Sequence, residues 1–73
     1  MRTYLKLINN TNGTKPSEIS RRLCEMGFVT SMGKYDYYIE WGREMAVDDA
    51  VRFADRIHEA LQDCNVQFYV ETY

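Results

Sequence analysis

The order of apolar patterns along this chain limits its fold more than any other feature. Apolar and polar residues alternate in four short segments, which is typical of half-buried strands. Two further segments carry apolar residues at the spacing of a helix that buries one side. The order is strand, helix, strand, strand, helix, strand. Because 73 residues leave room for one domain only, we expect a single α+β domain over residues 1–73.

The boundaries of these elements follow from turn-forming residues. Strands are predicted over residues 3–8, 28–32, 35–41 and 66–71, and helices over residues 16–26 and 47–63. Turn formers at residues 9–14 separate the first strand from the first helix. Gly33 and Lys34 are predicted to form a two-residue type II′ hairpin turn, since glycine readily adopts a positive φ. Tyr35, Tyr37, Ile39 and Trp41 are then expected on one side of the third strand.

Right-handed crossover connections leave one compact arrangement for this order of elements. It is the ferredoxin-like βαββαβ fold, in which a four-stranded antiparallel sheet of order 4-1-3-2 carries both helices on one face. The sheet is expected to contribute to the core Leu5, Leu7, Tyr37, Ile39, Val66, Phe68 and Val70. The apolar stripe of the second helix is predicted to be Val47, Ala50, Val51, Ala54, Ile57, Leu61 and Cys64, with Phe53 at its edge.

Such a fold leaves the second face of the sheet uncovered. Alternation places on that face Tyr4, Lys6, Ile8, Asp36, Tyr38, Glu40, Gln67, Tyr69, Glu71 and Tyr73. Tyrosine is enriched in interfaces because its large ring carries a polar tip. We therefore expect a homo-oligomer, a dimer or higher, whose sheets pack face to face. The interface residues would be Tyr4, Lys6, Tyr38, Glu40, Tyr69, Glu71 and Tyr73, and polar side chains could line a cleft for a small metabolite.

Two other interpretations of this face stay open. Tyrosine favours strands, so a merely solvated face would carry it too. Tyrosines could also stack RNA bases, but Asp36, Glu40 and Glu71 would accompany Lys6 there, and carboxylates repel phosphates. A net charge of −2 with signs that alternate along the chain also argues against a nucleic-acid partner. No apolar run reaches the length of a membrane helix, and a cytoplasmic protein is expected.

The stretch Thr30-Ser31-Met32-Gly33-Lys34-Tyr35-Asp36-Tyr37-Tyr38-Ile39-Glu40-Trp41 resembles the hairpin of the ACT-like RAM effector domain of Lrp/AsnC regulators, and it is similar to the GYD domain. In both families a helix and a strand follow, and they resemble Asp48-Asp49-Ala50-Val51-Arg52-Phe53 and residues 66–73 of this chain. The resemblance implies a subunit of a dimeric α+β barrel that binds a small metabolite near Gly33, Tyr35 and Asp36. A simpler interpretation is that Gly33 forms the turn and Asp36 accepts a hydrogen bond from exposed backbone.

The sequence contains few residues that could form a catalytic or metal-binding site. Cys24 and Cys64 lie far apart and His58 is the only histidine, so no zinc site is predicted, and both cysteines are expected to be buried. No cofactor and no catalytic residue is assigned. The predicted function is a small stand-alone regulatory or ligand-sensing module without enzymatic activity. The alternative is a small cofactor-independent enzyme of the dimeric α+β barrel type, with a base drawn from Asp36, Glu40, Glu71 or the tyrosines.

Overall fold

The computed structural model describes residues 1–9 and 14–73, and the turn predicted at residues 9–14 falls mostly outside this part of the chain. The elements are β1 (Arg2–Asn9), α1 (Pro16–Glu25), β2 (Val29–Thr30), β3 (Tyr37–Glu40), α2 (Val47–Leu61) and β4 (Gln67–Thr72). The strand–helix order predicted from periodicity is therefore confirmed. In the described residues, neither helix has the length and apolar character needed to cross a membrane.

The four strands form one sheet in the order β2-β3-β1-β4, and every neighbouring pair is antiparallel. Counted from β4, this order is 4-1-3-2, so the strand neighbours are those expected. β1 is central and pairs Leu5 with Tyr37 on one side and with Val70 on the other. The prediction of an α+β fold with a four-stranded antiparallel sheet and two helices is confirmed.

One face of the sheet and both helices share a single hydrophobic core. Its buried members are Leu5, Ile19, Leu23, Phe28, Tyr37, Ile39, Phe53, Ile57, Leu61 and Cys64. Partly buried residues packed against it are Leu7, Met26, Trp41, Val66, Phe68 and Val70. All seven sheet residues predicted for the core lie in these two groups. Burial of this apolar surface is the main favourable contribution to the folding free energy.

The predicted stripe of α2 is wrong at its first turns. Val47 and Val51 are 78% and 54% exposed, whereas Phe53 is only 7% exposed. The Phe53 ring lies edge-on to Trp41 at 5.0 Å between centroids and packs on Phe28 at 5.8 Å. A phenyl ring buries more area than a valine side chain, so the helix turns Phe53 inward and leaves the two valines outside.

The hairpin between β2 and β3 also differs from prediction. Both strands are shorter than expected, and the last ladder pair is Thr30 with Tyr37. The Ser31 amide donates to the Asp36 carbonyl at 2.9 Å, so the connection is longer than a two-residue type II′ turn. The cause lies at Asp36, whose amide donates to the Leu5 carbonyl of β1 at 3.0 Å. Beyond that bond the chain leaves the line of β3, and the alternation of faces no longer applies.

Arg22 of α1 links the two helices. Its Nη1 donates to the Asp63 carboxylate at 2.6 Å, to the Ala60 carbonyl at 2.9 Å and to Cys64 Sγ at 3.2 Å. Cys64 is fully buried, as predicted, but the prediction is wrong for Cys24, which is exposed. Cys24 follows the buried Leu23 and is therefore turned by about 100° away from the core.

Candidate functional site

Five of the six tyrosines of this protein gather on the sheet face that neither helix covers in the described part of the chain. This surface is called the tyrosine face here, and its tyrosines are Tyr4, Tyr35, Tyr38, Tyr69 and Tyr73. Strand register places them together, because Tyr4 of β1 pairs with Tyr38 of β3 and with Glu71 of β4. In the next rows Arg2 pairs with Glu40, and Lys6 pairs with Tyr69.

The Tyr4 ring is the centre of the aromatic contacts. Its centroid lies 4.8 Å from that of Tyr35, 5.0 Å from that of Tyr73 and 6.3 Å from that of Tyr38. These separations fall in the range in which aromatic pairs attract each other. The rings thus bury one another sideways, and Tyr35 is left only 8% exposed, although Tyr69 and Tyr73 remain 46% and 62% exposed.

Glu71 holds the polar tips of this cluster. The Tyr69 hydroxyl donates to Glu71 Oε1 at 2.5 Å, and the Tyr35 hydroxyl donates to Glu71 Oε2. The two hydroxyl groups hydrogen-bond the charged carboxylate and lower the pKa of Glu71 below its usual value. The same bonds, with desolvation second, raise the pKa of both Tyr35 and Tyr69.

Three cations border the tyrosines. The Arg2 guanidinium lies 5.0 Å above the Tyr38 ring and is hydrogen-bonded to Glu40 through Nε at 2.5 Å. The bond to Glu40 raises the pKa of Arg2. Lys34 Nζ lies 5.4 Å above the Tyr35 ring, while Lys6 Nζ donates to the Lys34 carbonyl at 3.1 Å. The face therefore carries both signs of charge, and Lys6 is not its only cation.

The three residues predicted near a ligand have different surroundings. Gly33 has a φ of 98° and open space around it, which fits the turn role assigned to it. Asp36 Oδ2 accepts a hydrogen bond from the Leu7 amide of β1 at 2.8 Å, as the simpler interpretation of this residue predicted. Tyr35 joins the tyrosine face through Tyr4 and Glu71. The structure brings Tyr35 together with the other tyrosines of the open face and leaves Gly33 apart in the turn.

Sequence reasoning missed part of the tyrosine face. Tyr35 was expected on the helix-facing side with Tyr37, but it lies outside β3 and packs against Tyr4. Arg2 was left out because the first strand was predicted to begin at Thr3, whereas β1 begins at Arg2. Alternation extended by one residue would have found Arg2. No local pattern marks the point at which a strand ends. The sequence therefore did not indicate that Tyr35 lies outside β3 and on the open face.

His58 does not belong to this surface. It is exposed on α2, and its ring lies 4.9 Å from that of Phe68, whose side chain packs on the helix side of the sheet. The titratable groups at the centre of the tyrosine face are therefore Glu71 and the phenols. The pKa of Glu71 is lowered and those of Tyr35 and Tyr69 are raised, so these three keep their charge states through neutral pH.

No family model matches this chain, and no match was found among curated proteins or solved structures. The resemblance to the RAM and GYD domains rests on the quoted hairpin and helix residues alone.

Proposed function

We propose that this protein is a regulatory or ligand-sensing module of ferredoxin-like fold that dimerises through its tyrosine face. The observation that carries the proposal is the set of five tyrosine rings clustered on one uncovered sheet face. Apolar surface of this kind, with polar tips, is typical of the buried centre of an interface.

A second copy of the chain is the partner that the charges favour. The tyrosine face presents Arg2, Lys6 and Lys34 together with Glu40 and Glu71. A two-fold pairing of such faces lets Arg2, Lys6 and Lys34 of one copy approach Glu40 of the other on either side of the axis. A chain of 73 residues also has a small core, and burial of a second face adds to its stability.

The acid–base properties of the face favour binding over catalysis. A general base works best when its pKa lies near the working pH. The hydroxyl groups of Tyr35 and Tyr69 lower the pKa of Glu71, which moves it away from neutrality. Asp36, another candidate base, holds the Leu7 amide through its carboxylate. The cofactor-independent enzyme thus has less support than the binding module.

The test is the mass in solution, measured by sedimentation across a dilution series. We expect the wild type to be a dimer and the Tyr69→Glu, Tyr73→Glu double variant to be a monomer of unchanged circular dichroism. Tyr69 and Tyr73 are 46% and 62% exposed in the single chain and lie outside the hydrophobic core, so we expect the exchange to leave the fold intact.

The matched control is the Val47→Glu, Val51→Glu double variant, which adds the same charge to the exposed apolar positions of α2. It is expected to stay a dimer. A wild type that remains a monomer at the highest concentration contradicts the proposal, and so does a dimer that only the α2 variant dissociates.

A further inference from the structure

We propose that the tyrosine face binds an organic ammonium ion, with Glu71 as its counter-ion and the surrounding tyrosines as its walls. The inference rests on the proposed function, because the second copy of the chain closes the site over the ligand. It goes further by naming the chemical class of the ligand.

The hydrogen bonds around Glu71 determine which ligands the site can accept. A phenol has one proton to donate and two lone pairs that accept. The Tyr35 and Tyr69 hydroxyl groups both donate their single hydrogen bond to Glu71. Their oxygens can therefore only accept hydrogen bonds from a ligand. Each Glu71 oxygen, bonded once by a tyrosine, can accept again. Lys34 also interacts electrostatically with Glu71, but less than the two hydroxyl groups do. The free lone pairs at the centre of the face are acceptors, so a ligand that fits there must bring donors or a positive charge.

The faces of the tyrosine rings have the same preference. The π face of an aromatic ring is negative and attracts cations. The protein already uses this attraction twice, with Arg2 over Tyr38 at 5.0 Å and Lys34 over Tyr35 at 5.4 Å. Tyr69 and Tyr73 carry no such cation in the described residues and are the most exposed tyrosines of the face. They are the rings that remain for a ligand.

Dimerisation strengthens the site. A two-fold pairing of tyrosine faces brings a Glu71 from each copy into one cleft lined by tyrosines. Like charges in a cleft with little water repel each other more than they do in solvent. A cation between the two carboxylates relieves this repulsion, whereas a carboxylate or phosphate ligand would increase it. We therefore expect the ligand to stabilise the dimer as well as to bind it.

Choline and two relatives of nearly the same shape test the charge. 3,3-Dimethyl-1-butanol replaces the choline nitrogen by carbon and is neutral. Glycine betaine has a carboxylate in place of the hydroxymethyl group of choline and is a zwitterion. Binding of each is measured by calorimetry on the wild type, with sedimentation on the same samples. We expect choline to bind at least about tenfold more tightly than either relative, because both ring faces and carboxylate contribute to holding the cation.

Two variants assign the binding to Glu71. Glu71→Gln removes the charge and nearly conserves the shape, and it is expected to weaken choline binding at least about tenfold while the dimer persists. Glu59→Gln makes the same exchange at an exposed position of α2 and is expected to bind choline like the wild type. Circular dichroism verifies that both variants fold.

The outcomes separate the two proposals. A wild-type dimer that fails to bind choline, or that binds the neutral alcohol equally well, overturns the ammonium site and leaves the dimer standing. Unchanged choline binding by Glu71→Gln overturns the site in the same way. A wild type that sediments as a monomer throughout overturns the proposed function and the closed site with it.

Discussion

The two faces of the same sheet are stabilised in different ways. On the helix side, Leu5 is completely buried in a core of side chains from both helices. On the other side, the neighbouring Tyr4 is only partly buried and packs sideways against Tyr35 and Tyr73. The helices cover the first face and exclude water from it. The second face is stabilised by contacts among its own side chains, and two of its hydroxyl groups, those of Tyr35 and Tyr69, donate to Glu71. A face of the second kind keeps area free for a partner.

The largest difference in the free energy of unfolding is expected between substitutions of two neighbouring residues of β1, Leu5 and Lys6. Leu5→Ala leaves a cavity in the core and should lower the free energy of unfolding by about 2–5 kcal/mol. Lys6→Ala, one residue later, removes an exposed side chain whose ammonium contacts one carbonyl, and should change it by less than about 0.5 kcal/mol. Denaturant unfolding measures both. Similar losses for the two variants would contradict the contrast between the faces.

The next largest loss in the free energy of unfolding is expected from breaking a buried polar contact on the helix side of the sheet. Thr3 is 1% exposed, and its Oγ1 accepts from Trp41 Nε1 at 2.7 Å and lies 2.8 Å from Thr72 Oγ1. Thr3→Val leaves the indole N–H without its partner and should cost about 1–3 kcal/mol. Thr72→Val removes one bond and keeps the indole satisfied, so it should cost less. Denaturant unfolding ranks the pair, and an equal loss would show that Trp41 does not depend on Thr3.

Substitutions of Asp36 test whether a carboxylate at the edge of the tyrosine face stabilises the fold. Asp36→Ala deletes the acceptor of the Leu7 amide and should cost about 0.5–2 kcal/mol, with faster hydrogen exchange at that amide. Asp36→Asn keeps a side-chain oxygen and should retain most of the protection. If exchange at Leu7 is unchanged in Asp36→Ala, the carboxylate is not structural, and the role implied by the family resemblance gains weight.

The sequence predicts the faces of the sheet better than the limits of its strands. A period of two assigns Leu5 to the core and Tyr4 to the open face, because successive side chains of a strand point to opposite sides. That period says nothing about where β3 begins, and the amide of Asp36 bonded to β1 decides this instead. Tyr35 was therefore assigned to the wrong side.

The helical stripe could have been predicted more closely. Phe53, Ile57 and Leu61 stand at i, i+4 and i+8 and are the buried residues of α2, whereas Val51 lies about 120° around the helix from Ile57 and is exposed. The rings of Trp41 and Phe28, which no local pattern contains, complete the burial of Phe53. The charge balance of the candidate site was misjudged because Arg2 and Lys34 reach the tyrosines from a strand end and a loop.

The smallest effect on stability is expected from protonating Glu71 in acid. Its size tests the hydrogen bonds that Tyr35 and Tyr69 donate to Glu71. The folded-state pKa of Glu71 lies below its unfolded value, so its bonds stabilise the fold above about pH 4.3 and lose that effect as the pH falls through the lowered pKa. Tyr35→Phe with Tyr69→Phe removes both donors. We expect this variant to lose less stability than the wild type between about pH 5 and 3, measured by denaturant unfolding.

The matched comparison adds Glu71→Gln to each background. In the wild type this exchange should remove the part of the acid dependence that belongs to Glu71. In the double-phenylalanine variant it should remove much less, because the donors that lower the pKa of Glu71 are already gone. Equal changes in the two backgrounds would mean that Glu71 titrates independently of the tyrosines. The rings would then be held together by stacking alone, and the carboxylate would be free to turn outward toward a partner.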